Sequence, residues 1–402
     1  MNMMRIHLLA ALLSAWATVQ AQPSNRAPER PKPDTAAVDD KTIAALPSNL
    51  RVTRRTRQLY QSLQALPQQG VLFGHQDDLA YGIGWKYVPG ESDVKRVAGD
   101  YPAVYGWELG HLETGDPVNI DSVPFDAMRT FVRDGYRRGG VITMSWHLNN
   151  PYTGSSSWDT TAAVPHILPG GSKHALYLSW LDRVADFILS LRYKGKAIPV
   201  LFRPFHEHTG SWFWWGEKQC TPDEYKALWR LTADYLRLTR KVNNILFVYS
   251  TAEFRDEAHY LERYPGDAYV DVLGFDTYMQ HTGEAESGEI YRQAIRGRLD
   301  MLTAMGARRQ KPTCLAETGL EQIPVADWWT GTLWEAVKDF PITYLLLWRN
   351  GRPNHYYVPY PGHPSEADFQ KFVANDRVFL ESDARRANLY RTNGFWGWLF
   401  RR

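Results

Sequence analysis

Eight short apolar runs recur along this chain, at 71–76, 103–109, 141–147, 199–207, 244–250, 270–278, 312–319 and 342–350. Each is separated from the next by a longer stretch, and that alternation constrains the fold more than any other feature. The runs are continuous rather than alternating in polarity, which is how strands buried on both faces read. Between them, 174–193, 222–240, 287–307 and 327–339 carry apolar residues at three- and four-residue spacing and predict amphipathic helices. Eight strand-then-helix units are the number that closes an α/β barrel of the (β/α)8 TIM type. A doubly wound open sheet is the rival, but no glycine-rich dinucleotide loop opens the first unit. The expectation is a single barrel domain over 49–402, with no second composition break and no internal repeat.

The first 21 residues read as an export signal. Arg5 supplies a positive start, an uncharged apolar run covers 8–19, and Ala21 offers a small residue at the cleavage point. The run is too short to span a bilayer, and no cysteine follows it. Neither a membrane span nor a bacterial-type lipid anchor is therefore expected, and the expected location is periplasmic or extracellular. Residues 22–48 hold Pro23, Pro28, Pro31, Pro33 and Pro47 without hydrophobic periodicity, as an extended Pro-rich linker would. Lys and Arg number 46 against 44 Asp and Glu, a formal charge of +2. So even a balance offers no long-range pull on polyanions and disfavours nucleic acid or an anionic membrane as partners. With only Cys220 and Cys314, a disulfide framework and a four-cysteine zinc site are ruled out. A single bond between the two is left open by their spacing.

In a barrel of this kind the chemistry sits at the C-terminal ends of the strands. Those ends carry His75 and Gln76, Trp107 and Glu108, Trp146 and His147, then His206, Glu207 and His208. The remaining four end in Tyr249, in Asp276 and Tyr278, in Glu317, and in Trp348 and Arg349. Two ends stand out. The fourth reads RPFHEHTGSWFWWG at 203–216, placing Glu207 just before a loop with Trp212, Trp214 and Trp215. The seventh reads CLAETG at 314–319, placing Glu317 directly after an apolar run. A carboxylate in such a position either pairs with a cation or has a raised pKa. Two of them facing each other in an aromatic cleft are the equipment for cleaving a glycosidic bond. The structural alternative is simple ion pairing, for which Arg203, four residues before Glu207, is the obvious partner.

The histidines admit another chemistry. His206 and His208 form an H-x-H pair, and with His75 and His147 they could ligate a metal, with Asp276 as the carboxylate that such a site needs. The alternative role for them is hydrogen bonding to sugar hydroxyls or orienting the two glutamates. The reading adopted here requires no metal and no cofactor.

At these residues the chain resembles glycoside hydrolase family 26, the β-mannanase family of retaining (β/α)8 glycosidases. The resemblance covers the chain from about residue 50 onward. It rests on LFGHQDD at 72–78, SWHLNNP at 145–151, RPFHE at 203–207 with Trp212 five residues on, GFDTY at 274–278, AETG at 316–319 and LLLWRN at 345–350. It implies that Glu207 is the general acid/base, that Glu317 is the nucleophile, and that Tyr278 hydrogen-bonds the nucleophile. It further implies that His147, His206, Trp212 and Trp348 line the subsites flanking the cleaved bond. Arg349 would contact the sugar one step further away, and Asp276 would support the network and touch substrate. Trp85 and Glu108 are expected as further substrate contacts.

The implied activity is retaining hydrolysis of β-1,4-mannosidic links in mannan, galactomannan or glucomannan, so the expected partner is a β-mannan-type polysaccharide or oligosaccharide. Mixed-linkage β-glucan and β-1,3-xylan are alternative substrates on the same two glutamates. A metal-dependent barrel hydrolase and a carbohydrate-binding protein that has lost catalysis are the readings from other classes. Endo or exo action, the latter releasing mannobiose, depends on whether loops at 77–100 and 110–124 wall off the cleft.

Overall fold

Eight parallel strands close on themselves in the computed structural model, which describes residues 46–280 and 286–391. They are β1 (Val71–Gln76), β2 (Val104–Glu108), β3 (Val141–Trp146), β4 (Val200–Pro204), β5 (Ile245–Thr251), β6 (Val272–Met279), β7 (Thr313–Leu320) and β8 (Tyr344–Leu347). Each pairs with its neighbours in sequence, and β8 returns to β1 with Leu72 opposite Tyr344 and His75 opposite Leu347. The chain is a (β/α)8 barrel, and every expected run contains a strand.

The interior is filled by strict alternation. Leu72, Val104, Val141, Leu201, Leu246, Val248, Val272, Tyr344 and Leu346 pack together in the barrel lumen. Their neighbours Phe73, Tyr105, Ile142, Phe202, Phe247, Leu273 and Leu345 pack outward against the helices. A period of two with both faces buried explains why the sequence shows continuous apolar runs. The bottom of the lumen is plugged by α1 (Arg54–Ala65), whose Leu59, Tyr60 and Leu63 join the inner cluster. Its N-cap Thr53 accepts from the amide of Thr56 at 3.2 Å.

The outer ring includes α2 (Asp93–Ala98), α3 (Phe125–Arg138), α4 (His174–Ser190), α5 (Pro222–Asp234), α6 (Glu257–Leu261) and α7 (Ser287–Arg309). After β7 the crossover is wound as wide π-type turns over Trp329–Trp334 before the short helix Glu335–Val337. Helices α8 (Glu366–Val373) and α9 (Glu381–Ala387) complete the chain, and a two-residue strand, Val378–Phe379, adds to β1.

Two expectations change in detail. The leader and residues 22–45 of the expected linker lie outside the described residues. Its last residues are docked rather than extended into solvent: Pro47 is buried, and Ser48 donates its amide to Asp271 Oδ1 at 2.6 Å and accepts from Arg237 at 2.7 Å. Cys220 and Cys314 are both free and buried. No described helix is long and apolar enough to cross a membrane.

Candidate active site

Lumen-facing parity decides which polar groups reach the catalytic mouth. Two positions past Leu201, Arg203 points inward from β4, and four past Val272 so does Asp276 from β6. Arg203 Nη1 donates to Asp276 Oδ2 at 2.7 Å, and its Nη2 donates to Glu317. Glu317 owes its inward aim to a bulge. Phe275 pairs with Leu315 but Asp276 pairs with Glu317, so Ala316 and Glu317 together oppose a single step of β6. Such an extra residue re-aims a side chain, a device common beside active sites. Tyr278 then donates its hydroxyl to Glu317 Oε2 at 2.8 Å. Burial and the Glu317 charge push the Tyr278 phenol well up, so it remains a donor.

Glu207 arrives by a different route. β4 stops at Pro204, and Phe205 and Glu207 then take left-handed backbone at φ +50° and +54°. Non-glycine residues pay about 1–3 kcal/mol each for that conformation, a strain typical of functional positions. The Glu207 amide is held by Ser250 O at 3.0 Å, and its Oε2 accepts from Trp212 Nε1 at 2.8 Å. Gly210 makes that indole position available, since a Cβ there would lie 2.3 Å from the Trp212 ring. Of the aromatic run, Trp214 and Trp215 are fully buried, with their N–H groups on Leu148 O and His206 O. Phe213 is nearly so, whereas Trp212 stands 44% exposed. Thr221, capping α5 in a reciprocal box with Glu224, ends the loop.

The two glutamates come close. Carboxylate oxygens of Glu207, Asp276 and Glu317 lie within 4.8 Å of one another. Burial and the charge of Glu317 raise the Glu207 pKa to about 7. The simple ion pair between Arg203 and Glu207 is not formed, because Arg203 serves Asp276 and Glu317 instead. The same guanidinium already supplies a positive charge to two of the three carboxylates.

Asp276 takes the supporting part of its expected role without lining the cavity. It is 2% exposed, with one oxygen on Arg203 and the other accepting from Ser250 Oγ at 2.7 Å, and it is absent from the cavity wall. It holds Arg203 rather than facing substrate. Glu108 is also not a substrate contact. Fully buried, it accepts from Ser145 Oγ at 2.6 Å and from the His147 amide at 2.7 Å, and its Oε2 lies 2.7 Å from His147 Nδ1. Burial alone would raise the Glu108 pKa. The charge and hydrogen bonds of His147 outweigh burial and bring it down to about 2. Reciprocally, burial works against a charged His147, yet Glu108 lifts it above the ordinary histidine value.

The histidines do not converge as metal ligands. His147 and His206 meet, Nε2 to Nε2, at 3.1 Å. His75 turns to Asp78 at 2.8 Å, and His208 packs between the rings of Tyr225 and Tyr249.

His147, His206, Glu207, Trp212, Tyr278, Glu317 and Trp348 line one cavity of about 370 Å³. Its wall also includes residues that the sequence reading did not single out, chiefly Trp158, Phe213, Gln280, Glu321 and Tyr357. Trp158 is 52% exposed and stacks on the His147 ring at 5.4 Å. Arg349 lines a neighbouring cavity of about 310 Å³ together with Tyr81, Trp85 and Asp121, and its Nη2 lies 3.0 Å from Asp121 Oδ1. Trp85 in that wall is steadied by its N–H on Asp93 at 2.7 Å.

Two carboxyl groups facing each other in an aromatic-lined cavity are equipment for cleaving a glycosidic bond, and sequence comparison identifies the family. The family model described as glycosyl hydrolase family 26 matches residues 48–335. The chain belongs to glycosyl hydrolase family 26. Among curated relatives, a mannan endo-1,4-β-mannosidase of Bifidobacterium adolescentis is 32% identical over 360 residues, covering 83% of this chain. This chain spans only 35% of the length of that relative. A mannan endo-1,4-β-mannosidase of Bacillus subtilis is 29% identical over 68% of this chain and 73% of its own length. Among solved structures, a family 26 β-mannanase from Bacteroides ovatus superposes with a TM-score of 0.81 at 47% identity, covering 84% of this chain and 98% of that one. The endo-β-1,4-mannanase of Cellulomonas fimi, as a double mutant, gives 0.77 at 32% identity, covering 87% and 80%.

Proposed function

We propose that this member of family 26 is a retaining endo-β-1,4-mannanase acting on mannan, galactomannan or glucomannan. The observation that carries the reading is the approach of Glu207 and Glu317 to within 4.8 Å. Retaining glycosidases keep their carboxyl groups about 5–5.5 Å apart, too close for a water to attack from between them. Inverting enzymes need a wider gap. The names of the relatives supply the substrate class.

In this reading Glu317 attacks the anomeric carbon while Glu207, with a pKa of about 7, delivers its proton to the departing oxygen. Tyr278 and Arg203 hold the Glu317 carboxylate aimed. Once Glu317 is esterified its charge is gone, so Glu207 loses the repulsion that raised its pKa and its hold on a proton weakens. It then takes a proton from the water that releases the sugar with retained configuration. Trp212 and Trp158 offer exposed faces for the flat sugar rings on either side of the bond.

The test pairs variants with rescue. Glu207→Ala and Glu317→Ala should each lower turnover on mannan by orders of magnitude while leaving the fold intact. Azide should restore Glu207→Ala on activated aryl glycosides, giving a β-glycosyl azide, because a good leaving group needs no acid. Wild-type rates in both variants would reject the assignment. Product sizing on mannan, mixed-linkage β-glucan and β-1,3-xylan reads the substrate, and a ladder of products separates endo action from release of mannobiose alone. Export through the 1–21 leader is part of the same proposal, supported by its charge and apolar pattern. N-terminal sequencing of the secreted protein at residue 22 would bear it out.

A further inference from the structure

On the side of the barrel away from the catalytic mouth, a cavity of about 220 Å³ is lined by five arginines: Arg55, Arg137, Arg138, Arg385 and Arg391. Its wall contains no acidic residue. The elements that form it are the start of α1, the end of α3 just before β3, Tyr193, and the end of α9 with the segment following it. Gly139 brings two of them together. It caps α3 at φ +119°, and a Cβ on it would lie 2.8 Å from the Arg385 Cα.

The charges around this cavity are unequally satisfied. Arg138 is neutralised by Glu381 at 2.9 Å, and Arg137 lies 3.4 Å from Asp134. Among the described residues Arg55 donates only to a hydroxyl, that of Tyr136, at 3.0 Å. Arg385 and Arg391 pair with no carboxylate among the described residues. Helix ends account for part of the cluster, since α3 and α9 both finish here and C-terminal carbonyls favour cations. They do not account for Arg55. It stands in the first turn of α1, a turn with no acidic residue, where the positive end of the helix disfavours a cation and favours an anion. Unpaired guanidinium groups, one positive helix end and the ring edges of Tyr136, Tyr193 and Tyr390 surround a space with room for a phosphate and a substituent.

We propose that this cavity is a binding site for a phosphate group. Guanidinium forks match phosphate oxygens in pairs. The near-neutral charge of the whole chain means that the attraction is local to the cavity rather than a field of the molecule. Inorganic phosphate and a phosphate headgroup at a lipid surface share this chemistry. The site is independent of the catalytic cleft, and a bound phosphate would tie α1, α3 and the chain after α9 to one another.

The test uses the full chain and an Arg385→Ala/Arg391→Ala variant. Both positions are exposed and outside the catalytic machinery, so activity on mannan should be unchanged and serves as the folding control. Thermal unfolding is followed as sodium phosphate is titrated to 10 mM, with chloride holding the ionic strength constant. A saturable rise in Tm of about 2 °C is expected for the parent chain, with the apparent affinity weakened roughly tenfold or more in the variant. Sedimentation with phosphatidylglycerol vesicles, against phosphatidylcholine vesicles, separates the sources. Binding that the variant loses assigns a lipid headgroup, and a phosphate response without vesicle binding assigns free phosphate. Equal responses in parent and variant, or no response to phosphate or vesicles, would overturn the proposal.

Discussion

The indole N–H of Trp212 donates to Glu207 Oε2 at 2.8 Å, so the most exposed tryptophan of the 212–215 run also tunes the carboxyl beside it. A hydrogen bond to the charged form lowers a pKa, and this one opposes the burial and Glu317 charge that lift Glu207 to about 7. Trp212→Phe keeps a ring and removes the donor. The Glu207 pKa should therefore rise. Because glycosylation needs Glu207 protonated, the alkaline limb of kcat/KM, near pH 7 in the parent, should move to higher pH. A pH–rate profile on a mannan oligosaccharide reads the shift, and an unmoved limb would separate Trp212 from the acid.

Asp276 supports Glu317 through Arg203, which bridges the two acids from below. Asp276→Ala would leave Arg203 buried with one partner and the Ser250 hydroxyl with none. Breaking a buried pair in this way costs about 3–5 kcal/mol, which denaturant unfolding would register. Asp276→Asn keeps an acceptor for Arg203 and should cost less stability. It nevertheless leaves the full guanidinium charge on Glu317, making that carboxylate a weaker nucleophile. The expected signature is a fall in kcat with KM little changed, and a change in KM alone would return Asp276 to the substrate-contact role.

These two residues also mark how far the sequence could be read. All eight strands are visible because burial on both faces leaves continuous apolar runs, and Glu207, Glu317, Tyr278 and His147 stand at or just past their ends, with Trp212 in the loop after the fourth. Periodicity cannot show the extra residue at Ala316 that turns Glu317 inward, nor the left-handed backbone of Phe205 and Glu207. It also cannot tell a carboxylate that faces substrate from one that faces a neighbouring side chain, which is why Asp276 and Glu108 were expected in the cleft. Trp158 and Tyr357 come from loops, where position depends on tertiary contacts. Asn150, for example, pins 150–161 by donating to Asp159 O and Thr161 O and accepting from Tyr152 N.

Glu108 makes a prediction of its own. Its charge is what raises His147 against the cost of burial. Glu108→Gln preserves the shape and removes the charge, so the His147 pKa should fall and the imidazole become neutral at higher acidity. Ring-nitrogen chemical shifts followed through a pH titration would show this directly. A solely structural role for Glu108 would change thermal stability and leave the His147 titration where it was.

His208 predicts how the fold responds to acid. It is fully buried between Tyr225 and Tyr249, its ring centroid 4.4 and 4.8 Å from theirs, and both ring nitrogens lack a protein partner. Burial, then the charge of Arg263, holds its pKa well below the ordinary value. The unfolded chain takes up a proton here as pH falls through about 6.5 while the folded protein does not. Above that pH the group contributes nothing to the pH dependence. Below it, stability drains away by up to about 1.4 kcal/mol per pH unit until the folded-state pKa is reached. His208→Phe fits the same aromatic slot with no proton to gain. Its stability, measured by urea unfolding between pH 7 and pH 4, should fall less steeply than that of the parent. Parallel slopes in the two proteins would mean that His208 is protonated as easily inside the fold as outside it.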